Sequence, residues 1–195
     1  FIGVGVMGMG MCRNLAQKSG CTVLAADLNA DNVRALADDG VIASSVQQIA
    51  ETARIVFLSL PAIQHVEAVC NGPDGLVANA RALQTVVDMS TSDVERTRQL
   101  AATLGAAGID LVDAPVARSR AAANDGTLLI TVGASESLFA AVKPYLDCMG
   151  SDVLHCGPTG AGQVVKILNN MVLLNTVPTL AEAFAMAEKS GVSKD

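Results

Sequence analysis

The chain has 195 residues, 51% of them hydrophobic and 3% aromatic, with no tryptophan and a formal net charge of −6. That length admits one full domain and the beginning of another, with a core built from Ala, Val, Leu, Ile and Met. The acidic balance leaves no basic stripe to meet phosphates along a nucleic acid, so no nucleic-acid partner is expected.

The chain opens Phe-Ile-Gly-Val-Gly-Val-Met-Gly-Met-Gly, an apolar strand running into Gly3, Gly5 and Gly8, followed by a helical pattern over 9–18. This is G-x-G-x-x-G between a strand and a helix. Gly3 suits the tight turn, Gly5 lets a pyrophosphate approach the backbone, and Gly8 lets helix and strand pack closely. The helix N-terminus beyond them offers unpaired N–H groups to phosphate. A second apolar strand over 21–26 ends at Asp27, nineteen residues after Gly8. A carboxylate there accepts hydrogen bonds from ribose hydroxyls and repels a 2′-phosphate, which predicts NAD, with NADP disfavoured. Asp31 reads as the cap of a helix over 32–38, leaving Asp27 for the cofactor.

Strands follow over 54–60, 84–88, 109–114, 127–132 and 152–156, alternating with helices over 44–51, 62–70, 93–107 and 135–146. The segment 71–75 is a turn, and Ser90-Thr91-Ser92 offers a cap to the helix after it. Nearly all-apolar strands alternating with helices predict an α/β fold, a mostly parallel, doubly wound sheet covered on both faces. In such a sheet Leu60-Pro61 and Ser90-Thr91 follow strand ends, where the nicotinamide portion should lie. Five cysteines (Cys12, Cys21, Cys70, Cys148 and Cys156) are scattered without a C-x-x-C pair. They predict reduced thiols in a cytoplasmic protein and no metal site. His65 and His155 have no ligand partner at suitable spacing and read as structural.

From 161 to 189 the pattern is one long helix, in which Pro178 should cause a kink or a split and after which Gly191 is the stop. Its apolar part, 171–187, falls short of the ~20 unbroken apolar residues of a membrane span and reads as a buried helix. Lys166 and Asn170, four apart, share one face of it. A lysine near apolar surroundings has its pKa lowered by desolvation, which suits proton transfer, and an amide one turn away positions a hydroxyl or carboxylate. By spacing alone such a pair reads as a solvated face.

Four blocks resemble the β-hydroxyacid dehydrogenase family, which includes 3-hydroxyisobutyrate dehydrogenase and tartronate semialdehyde reductase. They are the opening 1–15 with Asp27-Leu28-Asn29, then Asp88-Met89-Ser90-Thr91. Next come Asp113-Ala114-Pro115-Val116 with Asp125-Gly126-Thr127-Leu128, and last Gly160-Ala161-Gly162 with Lys166 to Asn170. The resemblance implies a Rossmann-type domain over 1–158, then a long interdomain helix from 159 to 195 leading into a C-terminal helical domain largely absent from these residues. A homodimer or homotetramer is implied for the full-length form. It further implies Lys166 as catalytic acid/base and Asn170 as a substrate ligand, with Gly3, Gly5, Val6, Met7, Gly8, Asp27, Leu28, Asn29, Leu60, Pro61, Ser90 and Thr91 around the cofactor.

One loop departs from the family pattern. After Pro-Val the common run is Ser-Gly-Gly, whereas this chain has Ala117-Arg118-Ser119. Arg118 and Ser119 resemble the substrate loop of sulfolactaldehyde reductases. A guanidinium fork suits carboxylate or sulfonate oxygens, so a small anionic hydroxy acid or semialdehyde is expected, bound by Ala117, Arg118, Ser119 and Asn170. A sulfonate substrate is the alternative, and a catalytically impaired NAD-binding or regulatory protein a further one.

Overall fold

The computed structural model describes residues 1–193, so the last two residues of the expected second unit lie outside the described residues. The opening segment runs between two strands it joins by backbone hydrogen bonds: Gly3 N–H donates to Ala26 O at 2.9 Å, and Ser59 N–H donates to Ile2 O at 2.9 Å. After it come α1 (Gly8–Lys18), β1 (Val23–Ala25), α2 (Ala30–Arg34), a 3-10 turn (Ala37–Asp39), β2 (Val41–Ala43) and α3 (Val46–Thr52). The middle is β3 (Ile55–Leu58), α4 (Ile63–Asn71), α5 (Leu76–Asn79), β4 (Thr85–Asp88), α6 (Val94–Ala106) and β5 (Asp110–Asp113). The last part is β6 (Val116–Ala117), α7 (Arg120–Asp125), β7 (Leu128–Gly133), α8 (Glu136–Leu146), β8 (Gly150–Gly157) and α9 (Ala161–Lys189).

β1 pairs with β2, and β3, β4 and β5 pair in sequence, all in parallel. Ile2 bridges Ala26 beyond β1 on one side and Leu58 of β3 on the other, so the opening segment stitches the two groups together. Counting that segment first, the strands run third, second, first, fourth, fifth, sixth, which is the doubly wound Rossmann order. The order reverses between the opening segment and β3, and there Gly3 faces Ser59. Beyond β5 the sheet continues with β7, antiparallel to both β5 and the short β6, and with β8, parallel to β7.

Strand alternation sends consecutive residues to opposite faces. Val56, Val86 and Leu111 pack with Ile49, Val66 and Leu104 beneath one face, while Phe57, Val87 and Val112 pack with Met11, Leu15 and Val142 on the other. Burying both faces explains why these strands read as apolar runs. Cys12, Cys70 and Cys148 are buried, as small hydrophobes should be, while Cys21 is exposed. His155 stacks on Phe139 and bonds Ala134 O at 2.8 Å, a structural setting.

Several expectations need correction. β2, β6, α5 and α7 are too short to leave a period in the sequence. Asn29, not Asp31, caps α2, and Asp93, not the Ser-Thr-Ser run, caps α6. Pro178 does not split α9, which runs unbroken to Lys189, and Gly191 ends it with φ +83°. Nor is the apolar part of α9 buried. From Met171 to Met186 every residue is exposed. The helix is also more apolar than its polar interruptions suggested. It contains an 18-residue window of mean hydropathy 1.3, long and apolar enough to cross a membrane by length and composition.

Candidate active site at the sheet edge

The Gly-rich turn is shaped by close contacts on one side and open space on the other. A Cβ on Gly3, whose φ is +89°, would stand 2.3 Å from Ser59 O, and one on Gly8 would stand 1.9 Å from Gly3 O. A Cβ on Gly5 would meet nothing within 4 Å. The turn therefore packs tightly against β3 and presents a bare backbone at Gly5 to whatever lies above it. No side chain caps the first turn of α1, and Val6 is exposed beside it. These features fit a dinucleotide pyrophosphate laid over the turn.

Asp27 follows β1 and serves the same turn from the side. Its Oδ2 accepts the Val4 N–H at 2.7 Å, and its Oδ1 accepts the Asn29 N–H at 2.8 Å. The carboxylate thus braces the Gly-rich turn and starts the chain into α2, where Leu28 and Asn29 are exposed. Leu60 and Pro61 follow β3, and the Leu60 N–H donates to Ser90 Oγ at 2.9 Å. Ser90 is buried and Thr91 exposed. The Ser90 hydroxyl acts as a strut between two strand ends, while Thr91 faces outward.

The start of α9 is pinned to those strand ends by a buried polar network that the sequence reading missed. Asp113, at the end of β5, accepts the Gly160 N–H at 2.6 Å and the Gln163 N–H at 2.9 Å. Burial pushes the Asp113 carboxyl above its usual range, with the Gly160 and Gln163 amides pulling back. Gln163 reaches the segment after β4: its Nε2 donates to Ser90 O at 2.8 Å, and its Oε1 accepts the Ser92 N–H at 2.9 Å. Ser92 Oγ and the Ser90 N–H in turn donate to Asp88, both at 2.9 Å. Gly162 is required by packing, because a Cβ there would come within 2.4 Å of Thr131 O. The available signal was the spacing of Gln163, three residues before Lys166 and on its face.

Between Val164 and Asn170, Lys166 and Asn170 alone are half-buried, their neighbours being exposed. They continue the face that Gln163 begins, and burial lowers the Lys166 pKa from its usual value. Lys166 makes no hydrogen bond or ion pair among the described residues. Arg118 is differently placed. It is the sole non-glycine residue with positive φ (+82°) among the described residues, in a position where the family pattern has glycine. Its guanidinium donates to Asp152 Oδ2 at 2.7 Å, to Ser151 Oγ at 2.9 Å and to Thr127 O. Ala117 is half-buried in β6, and Ser119 is exposed before α7.

A dinucleotide-binding α/β fold with a lysine-bearing helix across its carboxyl edge defines a class, and comparison with known proteins gives the family. Residues 1–157 match the NAD binding domain of 6-phosphogluconate dehydrogenase, and the chain belongs to that family. It is 42% identical over 196 residues to 2-(hydroxymethyl)glutarate dehydrogenase of Eubacterium barkeri, covering 100% of this chain and 65% of the relative. It is 40% identical over 193 residues to 3-hydroxyisobutyrate dehydrogenase of Pseudomonas aeruginosa, covering 98% of this chain and 64% of the relative. The structure of Mycobacterium tuberculosis 3-hydroxyisobutyrate dehydrogenase with L-serine superposes with a TM-score of 0.92 at 34% identity, covering 100% of this chain and 66% of that one. The chain thus spans a little under two thirds of the length of the relatives it matches.

Proposed function

We propose that this chain is the dinucleotide-binding part of an oxidoreductase acting on the CH–OH group of a small anionic 3-hydroxy acid, or on the corresponding semialdehyde, with Lys166 as general acid/base. The observation that carries the reading is the placement of Lys166. It is half-buried, has a lowered pKa and lacks a partner among the described residues, on a helix pinned by Asp113 and Gln163 to the carboxyl ends of β5 and β4. The nicotinamide, when bound, accepts or returns the hydride of the carbon bearing the hydroxyl. Lys166 takes the hydroxyl proton in oxidation and returns it in reduction. Asn170, one turn on, orients the substrate. Gly3, Gly5, Val6, Met7 and Gly8 hold the pyrophosphate, Asp27, Leu28 and Asn29 the adenine ribose, and Leu60, Pro61, Ser90 and Thr91 the nicotinamide side. Asp27 favours NAD, since a carboxylate repels a 2′-phosphate.

The same proposal divides the chain into a domain over 1–158 and a helix leading into a second domain. The exposed apolar flank of α9 then packs against that domain or a partner subunit in a homodimer or homotetramer, not in a bilayer, and the protein acts in the cytoplasm without nucleic acid. The match to the Mycobacterium tuberculosis enzyme covers the helix as well as the domain, which supports this reading.

Lys166→Ala in the full-length protein should abolish turnover while NADH affinity changes little. Equal loss of both would make the lysine structural and sink the assignment. In oxidation, kcat/KM should rise with pH through an apparent pKa below the usual lysine value, and in reduction it should fall over the same range. A second reading, a sulfonate substrate, is favoured by Arg118 in place of glycine. Screening 3-hydroxyisobutyrate and glycerate against sulfopropanediol-type acids separates the two.

A further inference from the structure

Beside the Gly-rich turn lies a cleft of about 230 Å³ lined by Gly5, Val6, Met9, Asn32, Arg120 and Asn124. Three of these residues, Gly5, Val6 and Met9, belong to the turn and α1, and Asn32 holds Asp27, its Nδ2 donating to Asp27 Oδ1 at 3.3 Å. The cleft therefore runs from the pyrophosphate position at Gly5 toward the ribose position at Asp27. Arg120 is the one charged residue lining it.

The backbone that carries Arg120 is held in place, although its side chain is exposed. It is the first residue of α7, which lies against α1 so closely that a Cβ on Gly10 would come 2.7 Å from Ala123 O. The buried Asn14 fastens the two helices together, its Nδ2 donating to Ala123 O at 3.0 Å and to Asn124 O at 2.9 Å. Two arginines leave this loop in different directions. Arg118 is paired with Asp152, whereas Arg120 makes no hydrogen bond or ion pair among the described residues. In a chain of net charge −6, an unpaired cation beside a phosphate-binding turn has a chemical use.

We propose that Arg120 is a cofactor-binding residue whose guanidinium holds a phosphate of the dinucleotide, at the pyrophosphate beside Gly5 and Val6. The proposal rests on the dinucleotide-binding reading of the turn and adds a side-chain cation to a site otherwise built of backbone amides. Arginine suits the task because its planar fork matches paired phosphate oxygens and stays charged at every working pH. Asn124, one turn along α7, and Asn32 supply neutral amides to the same cleft.

The test is titration of the full-length protein and its Arg120→Ala, Arg120→Gln and Arg120→Lys variants with NADH, NADPH and ADP-ribose, at low and high salt. Both neutral variants should bind NADH and ADP-ribose about tenfold or more weakly at low salt, a gap that narrows as salt screens the contact. Arg120→Lys should recover part of the loss. Unchanged ADP-ribose affinity in the neutral variants overturns the proposal. A loss confined to NADPH also overturns it, assigning Arg120 to a 2′-phosphate instead. Failure of the unaltered protein to bind either NADH or NADPH would sink the dinucleotide reading itself, so the two failures are distinct.

Discussion

Gln163 donates from Nε2 to the carbonyl of Ser90 at 2.8 Å, while its Oε1 accepts the Ser92 N–H at 2.9 Å. One buried amide thereby ties the helix bearing Lys166 to the segment after β4, from which the Ser90 hydroxyl reaches back to Leu60. Replacing it by alanine leaves a buried carbonyl and a buried N–H without partners, each worth ~1–3 kcal/mol. Gln163→Ala should lower the urea midpoint by an amount equivalent to about 2–6 kcal/mol. It should also reduce kcat more than NADH affinity. A midpoint that does not move would mean the helix is held by other contacts.

Asp88 links the same network to pH. Burial pushes its carboxyl from 3.8 up to about 6, the hydrogen bonds from Ser90 and Ser92 opposing the shift. Its folded pKa lies above the unfolded one, so the native state binds the extra proton. Its stabilisation is complete below pH 3.8 and is lost as pH rises to about 6. A carboxyl raised from 3.8 to about 6 corresponds to ~3 kcal/mol of such stabilisation. Asp88→Asn should remove this slope, so that denaturation midpoints at pH 4 and 6 differ less in the variant than in the unaltered protein. Parallel slopes in the two proteins would place the ionisation elsewhere.

Arg118 occupies a left-handed backbone position at a cost of ~1–2 kcal/mol, held there by Asp152, Ser151 and Thr127. The ion pair is exposed and screened by solvent, so it offsets little of that. Arg118→Gly should therefore leave the thermal midpoint unchanged or raised, whereas Arg118→Ala keeps the strain, loses the anchors and should lower it. A drop of equal size in both would show that the side chain, not the backbone, governs the loop.

The Asp152 partner offers a separate test of substrate binding. If Arg118 grips the anionic end of the substrate, it must exchange Asp152 for that anion. Asp152→Ala frees the guanidinium and should lower KM for a hydroxy acid several-fold with little change in kcat. An unchanged KM would confine Arg118 to holding the loop.

Asp27 accepts two backbone N–H groups at the Gly-rich turn. Asp27→Ala should weaken NADH binding and narrow the preference over NADPH, because both the brace on Val4 and the repulsion of a 2′-phosphate are lost. The readout is the ratio of the two affinities, and a ratio that stays constant would remove Asp27 from cofactor choice.

The doubly wound sheet was legible because its determinants are local. Apolar runs such as 54–60 and 84–88 must be buried on both faces, and glycines at 3 and 8 meet steric demands of a single turn. Lys166 and Asn170 were visible as a pair for the same reason, helical spacing placing them on one face. What lay beyond the sequence was contact between distant segments. Nothing near residue 163 announces that its amide will meet Ser90 and Ser92, more than seventy residues earlier. The partner of Arg118 depends on β8 running parallel to β7, which brings Asp152 opposite Leu129, and the free state of Arg120 depends on α7 lying against α1. Periodicity and turn chemistry act over a few residues and determined the elements. Hydrogen-bond partners and open space at Gly5 are properties of packed surfaces, and only the tertiary structure decided them.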